Sequence, residues 1–196
     1  MFCISIFGME LAVDFTAPAL LGLLSIYLPQ KAFLQMCAAC LLHESAHLLM
    51  MRLLSQRPAG LRLSAAGMQL SIRSGMLCPL PALTAILLSG AAANLAAALC
   101  FFACGDKDSA GANLSLALFN LLPYRSTDGG TLIAALLEHR LIAEHPERVQ
   151  QIMRLLCIAA ALTVSAGLIR MHSRNLSLWS MLLFMTASEL TGDPVK

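Results

Sequence analysis

The chain has 196 residues, 58% of them hydrophobic and only 12% charged, with a mean hydropathy of +0.75. A soluble domain of this size carries about 25% charged and 45–50% apolar residues, so the composition excludes an ordinary soluble domain and indicates a polytopic membrane protein. The net charge of +2 comes from basic residues scattered through short connections between apolar blocks, and it gives no indication of nucleic-acid binding.

Taken in chain order, Glu10 and Asp14 interrupt the first apolar stretch and no small-residue cleavage site follows a basic segment, so this stretch is expected to be retained. A membrane span needs about 20 apolar residues. The first candidate, residues 15–28, is short unless residues 2–13 extend it, or these form an interfacial strand instead. The second, residues 32–54, carries His43-Glu44-Ser45-Ala46-His47 near its middle and exits through Arg52 and Arg57.

Residues 61–73 follow, where Leu61-Arg62-Leu63-Ser64 and Met68-Gln69-Leu70-Ser71-Ile72-Arg73 alternate apolar with polar around Ala65-Ala66-Gly67. Period-two alternation about a glycine-containing turn predicts a β-hairpin, the alternative being an irregular surface loop. A third span, 77–104, is entered through Pro79 and Pro81, and a polar link covers 105–109. A fourth, 112–137, is interrupted by Asn120, Pro123 and Ser126-Thr127-Asp128-Gly129-Gly130. After a charged connection over 138–148 come a fifth span, 152–169, and a short sixth, 176–187.

The expected architecture is therefore all-α: about six transmembrane helices, a short β-hairpin between the second and third, and one domain over 1–196 with its core at 32–137. The seven cysteines make an odd count, and all but Cys3 lie in or beside apolar segments, which argues against a disulfide framework. Cys37 and Cys40 form a CxxC one turn ahead of His43; packed thiols are the favoured reading, with a sulfur ligand as the alternative.

Lysine and arginine bias sets orientation. With six alternating spans, Arg52, Arg57, Arg62, Arg73, Arg140, Arg148 and Lys196 fall on one side, against Lys31, Lys107, Arg170 and Arg174 on the other. The richer side is expected to be cytoplasmic, which places both termini and access to the HESAH helix there.

The pattern at 43–47 is HExxH. On a helix, residues four apart share a face, so both imidazoles can reach one metal ion while Glu44 faces a water. Two imidazoles and a carboxylate within a span are costly without a partner, at about 2.5–3.5 kcal/mol for a charged group at a helix centre. Catalytic zinc takes three protein ligands and one open position. His139, His145 and His172 lie in polar connections, which leaves Asp128, within the broken fourth span, as the better third candidate. The alternative is that residues 126–130 form a surface turn with Asp128 as a helix cap.

HESAH in a span, then a short hairpin, then Ser89-Gly90-Ala91-Ala92-Ala93-Asn94, then Phe119-Asn120-Leu121-Leu122-Pro123 with Asp128-Gly129-Gly130, resembles the site-2 protease family of intramembrane zinc metalloproteases. Order and length resemble its compact bacterial branch, the sporulation factor IVB type, which processes a membrane-associated sigma-factor precursor. The resemblance covers roughly residues 32–137. It implies one zinc per chain held by His43, His47 and Asp128, with Glu44 catalytic. The family's Gly-Pro-x-x-Asn lacks its proline here, since Ala91 follows Gly90; Ser126-Thr127 replace a common Pro-Leu, and Arg125 is an unusual neighbour.

The expected reaction is regulated proteolysis in a bacterial cell membrane, in which zinc activates water and Glu44 acts as general base. Asn120 or Asn94 is expected to donate to the oxyanion or hold extended substrate, with Asn120 ahead; a helix–helix hydrogen bond is the alternative. The expected partners are a membrane-associated protein substrate and regulatory membrane proteins, with no nucleic acid. Two rival readings are a non-proteolytic zinc-binding scaffold, against which Glu44 argues, and a transporter, against which the lack of repeated halves argues.

Overall fold

The computed structural model describes residues 2–6, 9–56, 58–64, 67–72, 78–141, 146–172 and 176–191. Among the expectations above, those that concern Arg57, Arg73, His145, Arg174, Lys196 and the 65–66 turn lie outside the described residues. The described residues form seven helices and four strands. They fall into two compact units, Met1–Leu118 and Phe119–Lys196.

The first unit opens with strands β1 (Phe2–Ile6) and β2 (Met9–Val13), which pair antiparallel, with Phe2 opposite Val13 and Ile6 opposite Met9. Residues 2–6 and 9–13 are thus paired strands, not an extension of the first span. Helices α1 (Thr16–Tyr27) and α2 (Gln30–Leu53) follow, and then strands β3 (Pro58–Ser64) and β4 (Gly67–Ile72). β3 pairs antiparallel with β4, with Leu61 opposite Leu70 and a register shift between Pro58 and Gly60. β2 lies parallel beside β3, giving one sheet in the order β1-β2-β3-β4. The class is therefore mainly helical with a small four-stranded sheet rather than all-α.

Helix α3 (Leu80–Ala103) begins with Pro81 in its first turn, where a missing N–H leaves no bond unmade. It ends in a Schellman turn: Gly105 N–H donates to the Phe102 carbonyl at 3.1 Å and Asp106 N–H to the Phe101 carbonyl at 3.0 Å. Gly105 has φ +82°, a conformation open to glycine without strain. Asp106 then caps α4 (Lys107–Asn120), accepting at its carboxylate from the Ser109 hydroxyl at 2.7 Å and the Ser109 N–H at 3.2 Å. The expected link 105–109 is thus only Gly105 and Asp106; Lys107–Ser109 already belong to a helix.

α2 packs against α3 along a line of residues four apart: Ala39, His43, His47 and Met51 are all buried. The buried residues of α3 are Ile86, Gly90, Ala91, Asn94 and Ala98. The opposite side of α2 keeps Leu34, Leu41 and Leu49 more than half exposed, as suits a face turned to lipid.

In the second unit, residues 121–127 are non-helical, α5 spans Asp128–Leu141, α6 Pro146–Arg170 and α7 Leu176–Thr191. The fourth expected span is therefore two helices with a break. Tyr124, Cys157 and Leu182 form one small core, with Leu122, Ala161, Val164 and Met185 packed on it. Ala134, Val149 and Met153 form another between α5 and α6.

Among the described residues, three helices are long and apolar enough to cross a membrane by length and composition: Gln30–Leu53, Leu80–Ala103 and Glu147–Arg170. About six spans were expected; α1, α4, α5 and α7 have 12, 14, 14 and 16 residues, short of the roughly 20 needed, and the break at 121–127 divides the expected fourth span into α4 and α5.

Candidate metal centre

His43 and His47 lie one turn apart on α2 and are 4% and 6% exposed, so each ring nitrogen needs a partner inside the protein. Nδ1 of His47 lies 2.7 Å from the Ile86 carbonyl of α3, with the Ser89 hydroxyl at 3.3 Å. A carbonyl only accepts, so Nδ1 carries the proton and donates. Nδ1 of His43 lies 2.7 Å from Oδ1 of Asn94. The Asn94 amide is oriented by its other side, where Nδ2 donates to the Ala39 carbonyl at 3.0 Å and to Oδ1 of Asn113 at 2.9 Å. Oδ1 therefore faces His43 as an acceptor, and His43 also holds its proton on Nδ1.

Each ring thereby turns its Nε2 towards the other, and the two Nε2 atoms are 3.1 Å apart with the rings nearly perpendicular, at 85°. Two nitrogens bound to one tetrahedral zinc at 2.0–2.1 Å lie roughly 3.3 Å from each other, so the spacing suits that ion. Histidine ligands generally donate the second ring N–H to a carbonyl or a side-chain oxygen, as both do here.

Gly90 makes room for this arrangement. A Cβ at that position would come within 2.5 Å of His47 Nε2, 2.6 Å of His43 Cε1 and 2.7 Å of His43 Nε2. Any larger residue would occupy the space the two Nε2 atoms face. The Gly90-Ala91-Ala92-Ala93-Asn94 run thus has two working positions four residues apart. Gly90 clears the site and Asn94 holds a ring.

This geometry corrects the expected role of Asn94. It is fully buried, and both of its N–H donors are engaged by Ala39 and Asn113. An amide with no donor to spare does not serve an oxyanion, and Asn94 orients His43 instead. Glu44 follows His43 on α2 and is half-buried.

Asp128 and Asn120 belong to the second unit, at either end of the break between α4 and α5. Thr127, not Asp128, caps α5: its Oγ1 accepts from the Gly130 N–H at 3.3 Å, and its carbonyl accepts from the Thr131 N–H at 3.0 Å. Asp128 is the first residue of α5 and is half-buried. Gly129 and Gly130 follow because the break folds back onto them; a Cβ on Gly129 would lie 2.5 Å from the Leu121 carbonyl oxygen, and one on Gly130 would collide with the Tyr124 carbonyl.

The unusual Arg125 also has a partner. Glu189 of α7 accepts from the Arg125 backbone N–H at 3.2 Å and from its Nε at 3.3 Å. With Tyr124 Oη 3.1 Å from Thr186 Oγ1 and Cys157 Sγ donating to the Pro123 carbonyl at 2.8 Å, α6 and α7 anchor the segment that leads to Asp128. His139 lies in the last turn of α5, and His172 is exposed after α6. The described cysteines are unpaired, with Cys40 exposed on α2.

No family model matches the sequence, and no curated relative does. Among solved structures, the chain is similar to the site-2 protease from Methanocaldococcus jannaschii, at 18% identity and a TM-score of 0.63. The match covers 100% of this chain and 97% of that one. Over its full length, the chain shares the fold of a site-2 protease.

Proposed function

We propose that the protein is an intramembrane zinc metalloprotease acting on a membrane-associated protein. One observation carries this reading: two buried imidazoles, within an apolar helix of 24 residues, hold their Nε2 atoms 3.1 Å apart while their Nδ1 atoms bond to α3. With Asp128 of the second unit as the proposed third ligand beside His43 and His47, the donor set would be two imidazoles and one carboxylate, the three-ligand complement of a catalytic zinc. When bound, zinc supplies Lewis acidity, which acidifies water and polarises a peptide carbonyl.

The chain's own residues supply the rest. Glu44 takes the proton of the attacking water as general base and returns it to the leaving amine. Asn120 donates to the developing oxyanion. Asn94 and the Ile86 carbonyl hold the two histidines in the tautomer that leaves Nε2 for the metal.

A substrate helix hides its amides and must be extended before cleavage. β3 is flanked by β2 and β4, so within this sheet only β1 and β4 offer an outer edge, and the unwound segment adds to β4 by strand pairing. N-methyl groups at alternate positions of the substrate strand then slow cleavage; indifference to them rules strand capture out.

The site opens to the cytoplasm of a bacterial cell, by lysine and arginine bias, and regulation comes from partner membrane proteins. A sporulation sigma-factor precursor is a narrower reading that rests on motif order and chain length, and the fold likeness adds nothing to it.

Co-expression with membrane-tethered candidate substrates tests the proposal. Glu44→Gln should keep its zinc while fragment release falls at least about a hundredfold. Cleavage that persists in Glu44→Gln removes the catalytic assignment. Zinc content unchanged in Asp128→Ala removes Asp128 as a ligand. Zinc binding with no Glu44-dependent cleavage of any substrate favours a zinc-binding scaffold instead.

A further inference from the structure

His43 is the end of a hydrogen-bonded chain that crosses three helices. From α4, Asn113 Nδ2 donates to the Ser109 carbonyl at 2.9 Å. That carbonyl can only accept, so the amide of Asn113 is turned with Oδ1 towards α3, where it accepts from Asn94 Nδ2 at 2.9 Å. Asn94 in turn donates its second N–H to the Ala39 carbonyl of α2 and accepts at Oδ1 from His43 Nδ1. Two backbone carbonyls, Ser109 and Ala39, thereby fix the polarity of every bond in the chain. Asn94 and Asn113 are 0% and 4% exposed, so water does not substitute for either partner.

From this geometry we infer that Asn113 is a positioning residue for the metal centre, acting through Asn94 to hold His43 with its proton on Nδ1 and its Nε2 turned to the metal. The inference rests on the zinc reading above and adds a residue from α4 that touches neither histidine. Without an acceptor at position 113, one buried N–H of Asn94 is orphaned. The amide cannot satisfy it by flipping, because Oδ1 would then face the Ala39 carbonyl and Nδ2 the proton on His43. Asn94 swings to find a partner, and His43 loses its fixed orientation.

Loss of a group that orients a metal ligand typically weakens metal binding by about 10–100-fold. The test is zinc affinity of the full chain in detergent, measured by competition with a chromophoric chelator, with cobalt absorption as a second readout of ligand geometry. Asn113→Leu removes the acceptor and should weaken zinc binding in that range and shift the cobalt spectrum. Where the leucine variant fails to fold, Asn113→Ala carries the same test with a smaller side chain. Asn113→Asp, held protonated by its burial, retains an oxygen acceptor towards Asn94 and an O–H for the Ser109 carbonyl, and should bind zinc close to the wild-type value.

Ser109→Ala is the packing control. It removes the hydroxyl that bonds Gln35 and Asp106 at the same α2–α4 contact, but leaves the Ser109 carbonyl and the whole asparagine chain intact. It should bind zinc as wild type does. Unchanged affinity in Asn113→Ala overturns the inference, as does an equal loss in Asn113→Asp or in Ser109→Ala. Wild-type protein that takes up no metal overturns the zinc reading itself, and the inference with it.

Discussion

Nε2 of His43 and Nε2 of His47 stand 3.1 Å apart because each ring is turned by a different residue of α3, His43 by Asn94 and His47 by the Ile86 carbonyl. The geometry of the pair is thus set by the α2–α3 packing, and the space in front of it by Gly90. Four expectations follow from this and from the segments that flank it.

Gly90→Ala places a methyl group within 2.7 Å of both imidazole rings. Backbone and rings would have to separate, so zinc affinity should fall by at least about tenfold, as for loss of a ligand-orienting group. Gly22→Ala in α1 is the matched control, since nothing lies within 4 Å of a Cβ there. Chelator competition on both variants checks the contrast, and equal affinities would show that Gly90 is not needed for close approach.

Glu189→Ala deprives both the backbone N–H and the guanidinium of Arg125 of their acceptor. Glu189 is nearly buried, with its side chain 10% exposed, whereas that of Arg125 is 36% exposed and keeps access to solvent. The cost should therefore be about 1–2 kcal/mol, in the range of a hydrogen bond to a charged group and below that of a fully buried pair. Thermal unfolding in detergent should register it, and Glu189→Gln should recover part of the loss by keeping an oxygen for the backbone N–H.

Ser55 follows the end of α2 with φ +55°, and its N–H and that of Gln56 close the helix onto the Arg52 and Met51 carbonyls at 3.2 and 2.8 Å. A left-handed conformation costs a residue with a Cβ about 1–2 kcal/mol. Ser55→Gly should relieve this and raise stability by about 1 kcal/mol, seen as a higher melting temperature. A lower melting temperature would mean that the serine side chain has a role the backbone does not account for.

Asp106 caps α4, and the Ser109 hydroxyl and N–H that bond its carboxylate hold it below the ordinary value of 3.8. The sign follows from linkage: a lowered folded-state value favours the fold above 3.8, and that contribution is lost as pH falls through the lowered value. Unfolding followed on either side of this range should show the wild type losing more stability in acid than Asp106→Asn. Parallel curves for the two proteins would show that the cap does not titrate with the fold.

Much of the site is readable in the chain itself. The four-residue spacing of His43 and His47 places both on one face of any helix, and the same spacing relates Gly90 to Asn94. Pro123 with Gly129 and Gly130 announces the break before Asp128, and alternation over 61–64 and 68–72 announces paired strands. These are local consequences of helix and strand period, and they need no knowledge of what packs against what.

Only the tertiary structure decided which residues complete those local patterns. Asn94 reads equally well as an oxyanion donor or a helix–helix bond until its three partners are seen, each from a different element. Asn113 carries no sequence signal at all, and Arg125 is an oddity until Glu189 of α7 is found beside it. The parallel pairing of β2 with β3, across two helices, is likewise invisible in period. The physical reason is the same in each case. A helix or strand period fixes which way a side chain points, whereas the donor or acceptor it meets is supplied by a distant segment. HESAH alone thus determines that two imidazoles share a face of α2. The packing of α3 and α4 on that helix determines which nitrogen of His43 and of His47 bonds to α3 and which faces the other ring.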